Sequence, residues 1–240
     1  MTRGATARLF VALDLSAEVR VQLAGWGRRC AASLRAASPP APGVREAWAP
    51  GARSAGRGRG QLRLLEADTL HVTLCFLGSR PTGEIEALGA ALARACAESA
   101  PLGELALGAP LWLPPRRPRA LAVELHDDAR GSLGELHDEA RGSLGELHET
   151  VVRALAEVGD FELDTASARR GAGRGPEHRF RPHITVARMR AGDAPRERLL
   201  PATPALSFAA RSATLYRSWL TPTAADYESL VRCALAAPNG

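Results

Sequence analysis

Lysine is absent from this chain: all 31 basic residues among its 240 are arginine. A net charge of +5 would ordinarily suggest nucleic acid, because phosphates are bound through cationic side chains. The same arginine bias, beside abundant Ala, Gly and Pro, follows from genome-wide codon pressure as readily as from selection for RNA, so total charge decides little. Cysteine is sparse. Cys30, Cys75, Cys96 and Cys233 are scattered with no Cys-x-x-Cys spacing, so neither a zinc knuckle nor a disulfide framework is indicated. No apolar run approaches a membrane span. The run from Leu9 to Leu15 is interrupted by Asp14 and reads as a strand rather than a signal core. The expectation is a cytoplasmic protein with no membrane partner.

What is present is a chain with 45% apolar residues over 240 positions, enough to bury a core as one large domain or two small ones. A four-residue pattern occurs twice, as His71-Val72-Thr73-Leu74 and His183-Ile184-Thr185-Val186. Side chains alternate along a strand, so His and Thr share one face of each copy and the apolar pair shares the other. One copy alone means little, since threonine favours strands and a lone histidine is usually structural. Two copies facing one cleft would supply two imidazoles for proton transfer and two hydroxyls for an anion. Those are the groups needed to cleave a phosphodiester without a metal.

The remaining pattern alternates strands and helices. Leu9 to Leu15 reads as a strand, and Ser16 stands where a helix N-cap belongs. Val19, Leu23, Trp26, Cys30 and Leu34 follow at spacings of three and four, predicting a helix to about Ala36. The Pro/Gly/Arg-rich stretch 38–60 has no period and reads as a loop. Leu70 to Leu77 is predicted as a strand ended by Gly78, followed by a helix from about Thr82 to Ala97 with Glu84 and Glu86 in its first turn. Leu105 to Leu113 and Arg119 to Leu125 read as paired strands. Phe161 to Leu163 is a short segment before the second motif strand. Ser207 to Trp219 is extended, and a helix or strand runs from Tyr227 to Leu235. Locally paired strands with helices outside indicate an α+β class.

A second repeat is of a different kind. Glu124 to Gly134 recurs almost unchanged as Glu135 to Gly145, and Glu146-Leu147-His148-Glu149 begins a third copy. Two glycines per unit cost roughly 1 kcal/mol each in a helix, so a firm helix is expected only from about Leu144 to Val158. His126, His137 and His148 would stand about 16 Å apart along a helix, too far to share a metal ion, and they receive no catalytic role. His178, five residues before His183, reads as a loop residue. Arginine and glycine concentrate in 51–60 and 169–176, each shortly before a His-x-Thr strand. They read either as the rim of a cleft that attracts a polyanion or as solvated loops.

Taken with its surroundings, the motif pair resembles the two-histidine (2H) phosphoesterase superfamily, and within it the RNA 2',3'-cyclic phosphodiesterases, also called 2'-5' RNA ligases. The resemblance runs from about Arg8 to Leu235 and is carried by four stretches. These are Arg8 to Leu15, Leu70 to Gly78, Phe180 to Arg188, and a tail with Leu215-Tyr216-Arg217-Ser218 followed by Tyr227. It implies one bilobal domain over 1–240, built from two pseudo-symmetric lobes of antiparallel sheet with outer helices around a central cleft. Within it lie an insertion at about 38–62, the tandem repeat at 124–148 and an Arg/Gly loop at about 167–179.

The resemblance also implies an activity: hydrolysis of RNA 2',3'-cyclic phosphodiester ends or cyclic nucleotides to 2'-phosphomonoesters, with no metal or other cofactor. His71 would donate the proton to the departing 3'-oxygen and His183 would accept one from water; the residues themselves do not distinguish these roles. Thr73 and Thr185 would bind non-bridging oxygens. Arg188 matches a basic position of the family, yet strict alternation puts it on the face opposite His183, so a bulge is needed to bring it round. Phe10 is a candidate to stack a base or a core residue. The alternatives are 2'-5' ligation of cyclic-phosphate and 5'-hydroxyl ends, and a non-catalytic module that binds RNA ends. Nothing in the sequence calls for more than a monomer.

Overall fold

Residues 5–37, 62–127, 142–159, 180–190, 195, 199–220 and 225–236 are described in this computed structural model. Among them the chain forms β1 (Thr6–Asp14), α1 (Ala17–Ala37), β2 (Arg63–Leu64), β3 (His71–Pro81), α2 (Ile85–Glu98), β4 (Glu104–Leu113) and β5 (Ala120–Asp127). There follow α3 (Ser143–Ala156), β6 (His183–Arg188), β7 (Ser207–Ala209), β8 (Ser212–Leu220) and β9 (Ala225–Ala234). The class is α+β, as the sequence pattern implies.

The strands join in one curled antiparallel sheet of order β7-β4-β5-β6-β3-β1-β8-β9, with β2 added to β6. Counted outward from the β6/β3 seam, β5 answers to β1, β4 to β8 and β7 to β9. These are the two pseudo-symmetric lobes. Alternation sorts β1 cleanly: Leu9, Val11 and Leu13 belong to the main apolar core with the helices, while Phe10, Ala12 and Asp14 take the other face. On α1, Val19, Leu23, Trp26, Cys30 and Leu34 are all buried, and Ser16 caps the helix by accepting the Val19 N–H at 3.3 Å. Where α2 crosses β9, a Cβ on Gly89 would stand 2.8 Å from the Val231 methyl, so only glycine permits this approach.

Two expectations change, and one open alternative closes. Strand β3 does not stop at Gly78 but runs on to Pro81, because that glycine takes φ 70° and lets the chain bend without leaving the sheet. The second helix starts at Ile85 after a 3-10 turn over Thr82–Glu84. The C-terminal segment is strand β9 along its whole length, paired with β8.

The Glu-Leu-His triplet of the tandem repeat has two conformations. Glu124-Leu125-His126 is strand in β5 and Glu146-Leu147-His148 is helix in α3, with both leucines buried. Tertiary contact overrides local propensity here. The Arg/Gly stretches 51–60 and 169–176, segment 161–163, His137 and His178 lie outside the described residues, as does the middle of the repeat. Among the described residues no helix is long and apolar enough to cross a membrane.

Candidate active site

The two motif strands meet at the seam. Their shared register pair is Val72 with Ile184, both fully buried on the core face. Ile184 is in turn paired with Val123 on β5, and Val72 with Leu13 on β1, so four buried apolar residues form a row across the middle of the sheet. Continuing the antiparallel register by one residue sets His71 beside Thr185 and Thr73 beside His183, all four on the face away from the core. His71 and His183 are then diagonal neighbours, a spacing of about 7–8 Å and somewhat less between Cβ atoms. Ala12 is paired with Thr73 and Ala122 with Thr185. Both alanines are buried, and their single methyl groups leave room above the sheet between the motifs.

The two imidazoles are held alike. His71 Nδ1 lies 2.7 Å from the Thr69 carbonyl, and His183 Nδ1 lies 2.8 Å from the Arg181 carbonyl, each two residues upstream. A carbonyl only accepts, so each Nδ1 carries the hydrogen and each Nε2 is the nitrogen left for chemistry. Each histidine also has a carboxylate residue as its register partner, Asp14 for His71 and Glu124 for His183. Both carboxylates are engaged elsewhere. Asp14 accepts from Tyr216 at 2.6 Å, Ser212 at 2.7 Å, Thr214 at 2.8 Å and Arg232 at 2.9 Å. Glu124 accepts two N–H groups of Arg181 at 2.7 and 3.0 Å.

Burial depresses the basicity of both rings. His71 is lowered to about 4 by burial, partly offset by the Thr69 carbonyl, with the charges of Arg188, His183 and Arg20 acting in the same direction as burial. His183 is lowered by burial first, against the Arg181 carbonyl, with Arg181 and Arg188 adding to the depression. Both are therefore neutral near pH 7 when no anion is bound.

Arg188 reaches this face through a bulge. Leu121 is paired with Ala187 but Ala122 with Thr185, so Val186 is skipped and the alternation of β6 is reset. Arg188 then pairs with Ala120, which shares the face of Ala122 and Glu124. Its charge is felt by both rings, and its side chain is exposed.

Phe10 takes a different partner from the base considered for it. It is only 2% exposed and lies 5.0 Å from the His71 ring, 5.2 Å from Tyr216 in a stacked arrangement and 5.0 Å from Tyr227 edge-on. With its faces covered, it supports His71 from within an aromatic cluster. Tyr227 also meets His71 edge-on at 5.3 Å. Site reasoning from sequence missed Asp14, Tyr216 and Tyr227 in these roles; the Tyr216 and Tyr227 positions in the matching tail were the available signal. His148 stacks on Phe180 at 4.0 Å, fastening α3 to the segment that leads into His183. Among the described residues no three of His, Cys, Asp and Glu are grouped as metal ligands would be.

The sequence pattern of the 2'-5' RNA ligase superfamily matches residues 39–219. Among solved structures, E. coli LigT complexed with 3'-AMP is similar at 28% identity and a TM-score of 0.58, covering 96% of this chain and 99% of that one. The same protein complexed with NADP+ is similar at 26% identity and a TM-score of 0.57, over 96% and 99%. TT0787 of Thermus thermophilus shares the fold at 24% identity and a TM-score of 0.61, over 97% and 100%. No curated protein matches the chain.

Proposed function

This chain belongs to the 2'-5' RNA ligase superfamily, and on that footing we propose that it hydrolyses RNA 2',3'-cyclic phosphodiester ends to 2'-phosphomonoesters by two-histidine acid–base catalysis. The observation that carries this reading is the seam register, which alternates His71, Thr185, His183 and Thr73 around one patch of sheet. Water attacks phosphorus in line, and His183 Nε2 takes its proton. The bond from phosphorus to the 3'-oxygen breaks as His71 Nε2–H delivers a proton to that departing oxygen. Thr73 and Thr185 donate to the two non-bridging oxygens, where charge gathers in the transition state, and Arg188 adds a positive charge beside them. The cycle ends with a neutral His71 and a protonated His183, restored by exchange with solvent.

The low basicity of the empty site fits this scheme. A phosphodiester anion held between two neutral imidazoles favours the imidazolium form, so the proton that His71 delivers is taken up with the substrate. Every group named comes from the chain itself, so the reaction is expected to proceed with a chelator present. The E. coli relative was crystallised with 3'-AMP, which supports a nucleotide as the group that occupies the cleft.

The test is hydrolysis of a 2',3'-cyclic nucleotide and of an RNA bearing the same end, with EDTA present, followed by identification of the product. The expected product is the 2'-phosphomonoester. A 3'-phosphomonoester, or no turnover, overturns the assignment. Ligation reverses the same chemistry, and mass action in water opposes it, so two tRNA halves incubated with the protein yield little joined product.

A further inference from the structure

Beside the two-histidine patch, and sharing His71 with it, lies a cavity of about 180 Å³ lined by Arg20, Asp68, Tyr216, Asp226 and Tyr227 among others. It is smaller than pockets that enclose a whole ligand, which run to roughly 300–1,000 Å³, and suits one planar ring system. Arg20, in the first turn of α1, lines this cavity, and its Nε, closed off from solvent, has no hydrogen-bond partner. A donor without a protein partner calls for an explanation, and a ligand in the adjoining cavity supplies one. Its charge acts on both His71 and Tyr216, which sets it close to the reacting end of the cavity.

The balance of charges limits what can enter. One guanidinium faces two carboxylates, so even with His71 protonated by the bound phosphodiester the lining carries no net positive charge, and a second phosphate is disfavoured. A neutral flat ring with acceptors on one edge and donors on another satisfies all three charged groups, and the tyrosine rings give it a surface to stack on. Among the bases only guanine sets O6 and N7 side by side for an arginine while offering N1–H and N2–H to a carboxylate. We infer that this cavity binds the base of the nucleotide that carries the cyclic phosphate and that it prefers guanine. Arg20 takes the O6/N7 edge, and Asp68 or Asp226 takes the N1–H/N2–H edge.

This rests on the function proposed above, and the experiment separates the two. The four 2',3'-cyclic nucleotides are compared for kcat/KM, and the four nucleoside 2'-monophosphates are compared for affinity by calorimetry. The guanine member of each set is expected to lead by roughly tenfold, the effect of one good bidentate base contact. Arg20→Gln shrinks that lead through KM. So does Asp68→Asn or Asp226→Asn, whichever carboxylate holds the base. Equal rates and affinities for all four bases overturn the inference and leave the hydrolysis intact. No hydrolysis with a persistent preference for 2'-GMP overturns the catalytic reading and leaves the base pocket. If a 5'-phosphate on the cyclic nucleotide speeds turnover whatever the base, and Arg20→Gln abolishes that gain, Arg20 binds phosphate and the base assignment is wrong.

Discussion

Leu74 and Val186, the last residues of the two motifs, occupy equivalent bulges: β1 skips Leu74 between Thr73 and Cys75, and β5 skips Val186 between Thr185 and Ala187. Each bulge ends the His-x-Thr face and resets the alternation beyond it. Past Val186 this turns Arg188 toward the histidines' face; past Leu74 the same step turns Phe76 toward Phe10, at a ring separation of 6.0 Å. One backbone device therefore gives charge on one side and aromatic support on the other.

If the paired hydroxyls stabilise developing charge, removing one should slow chemistry more than it weakens binding. Thr73→Val and Thr185→Val keep the strand preference and shape while deleting the donor. Each is expected to lower kcat by roughly 10²-fold, the lower end for loss of one oxyanion donor, with a much smaller change in KM. A loss confined to KM would assign the threonines to ground-state binding only.

Arg188 depresses both imidazoles and faces the same cleft. Arg188→Gln removes that charge, so both histidines protonate at higher pH than in the parent protein. The acid limb of the kcat/KM profile should move toward neutrality while the rate falls. A lower rate with an unmoved profile would mean that the side chain does not sense the rings.

Burial of His71 couples acidity to stability. Its folded value of about 4 lies below the unfolded value near 6.5. Below pH 6.5 the unfolded chain therefore binds a proton that the folded chain refuses. Stability is full above that pH and is lost as pH falls toward 4, at about 1.4 kcal/mol per unit for this one group. Denaturant midpoints between pH 7 and pH 4.5 should fall accordingly, and less steeply in His71→Gln. Phosphate binding should reduce the loss by taking up a proton, seen as a buffer-dependent enthalpy in calorimetry. An unchanged slope in the variant would contradict the burial of a neutral ring.

Ile184 is buried at the seam and pairs with both Val72 and Val123. Ile184→Ala should cost about 2–5 kcal/mol of folding stability, against about 0.5–1.5 for Ile184→Val. Asp14 is only 7% exposed, and four donors hold its carboxyl below the usual range in spite of burial. Asp14→Ala leaves those donors unpaired and should cost about 1–3 kcal/mol. Urea melts measure both, and near-parent stability in either variant would show the seam to be looser than described.

The seam was legible in sequence because His-x-Thr-x states its own faces: Val72 and Ile184 are fully buried, whereas His71 and His183 lie on the opposite face and keep some exposure. The helix ending at Ala37 was legible from its 3–4 spacing and its Ser16 cap. Other features were not, for physical reasons. A bulge leaves no mark in composition, so the turn of Arg188 toward the site could be required but not located. Asp14 read only as a break in an apolar run, because its partners at 212, 214, 216 and 232 lie some 200 positions away. Arg20 is one arginine among 31, and only the fold gives it a neighbour.

In the proposed reaction His71 and His183 act as one unit on one phosphoryl group, and a double-mutant cycle is the sharpest check. Single-turnover hydrolysis of an RNA with a 2',3'-cyclic end is measured for the parent, His71→Ala, His183→Ala and the double variant. Each single change is expected to lower the rate by roughly 10²–10⁴-fold, with the double variant little slower than the worse single one, as for residues that work together. Parent-like rates in either single variant, or losses that multiply in the double, would contradict it.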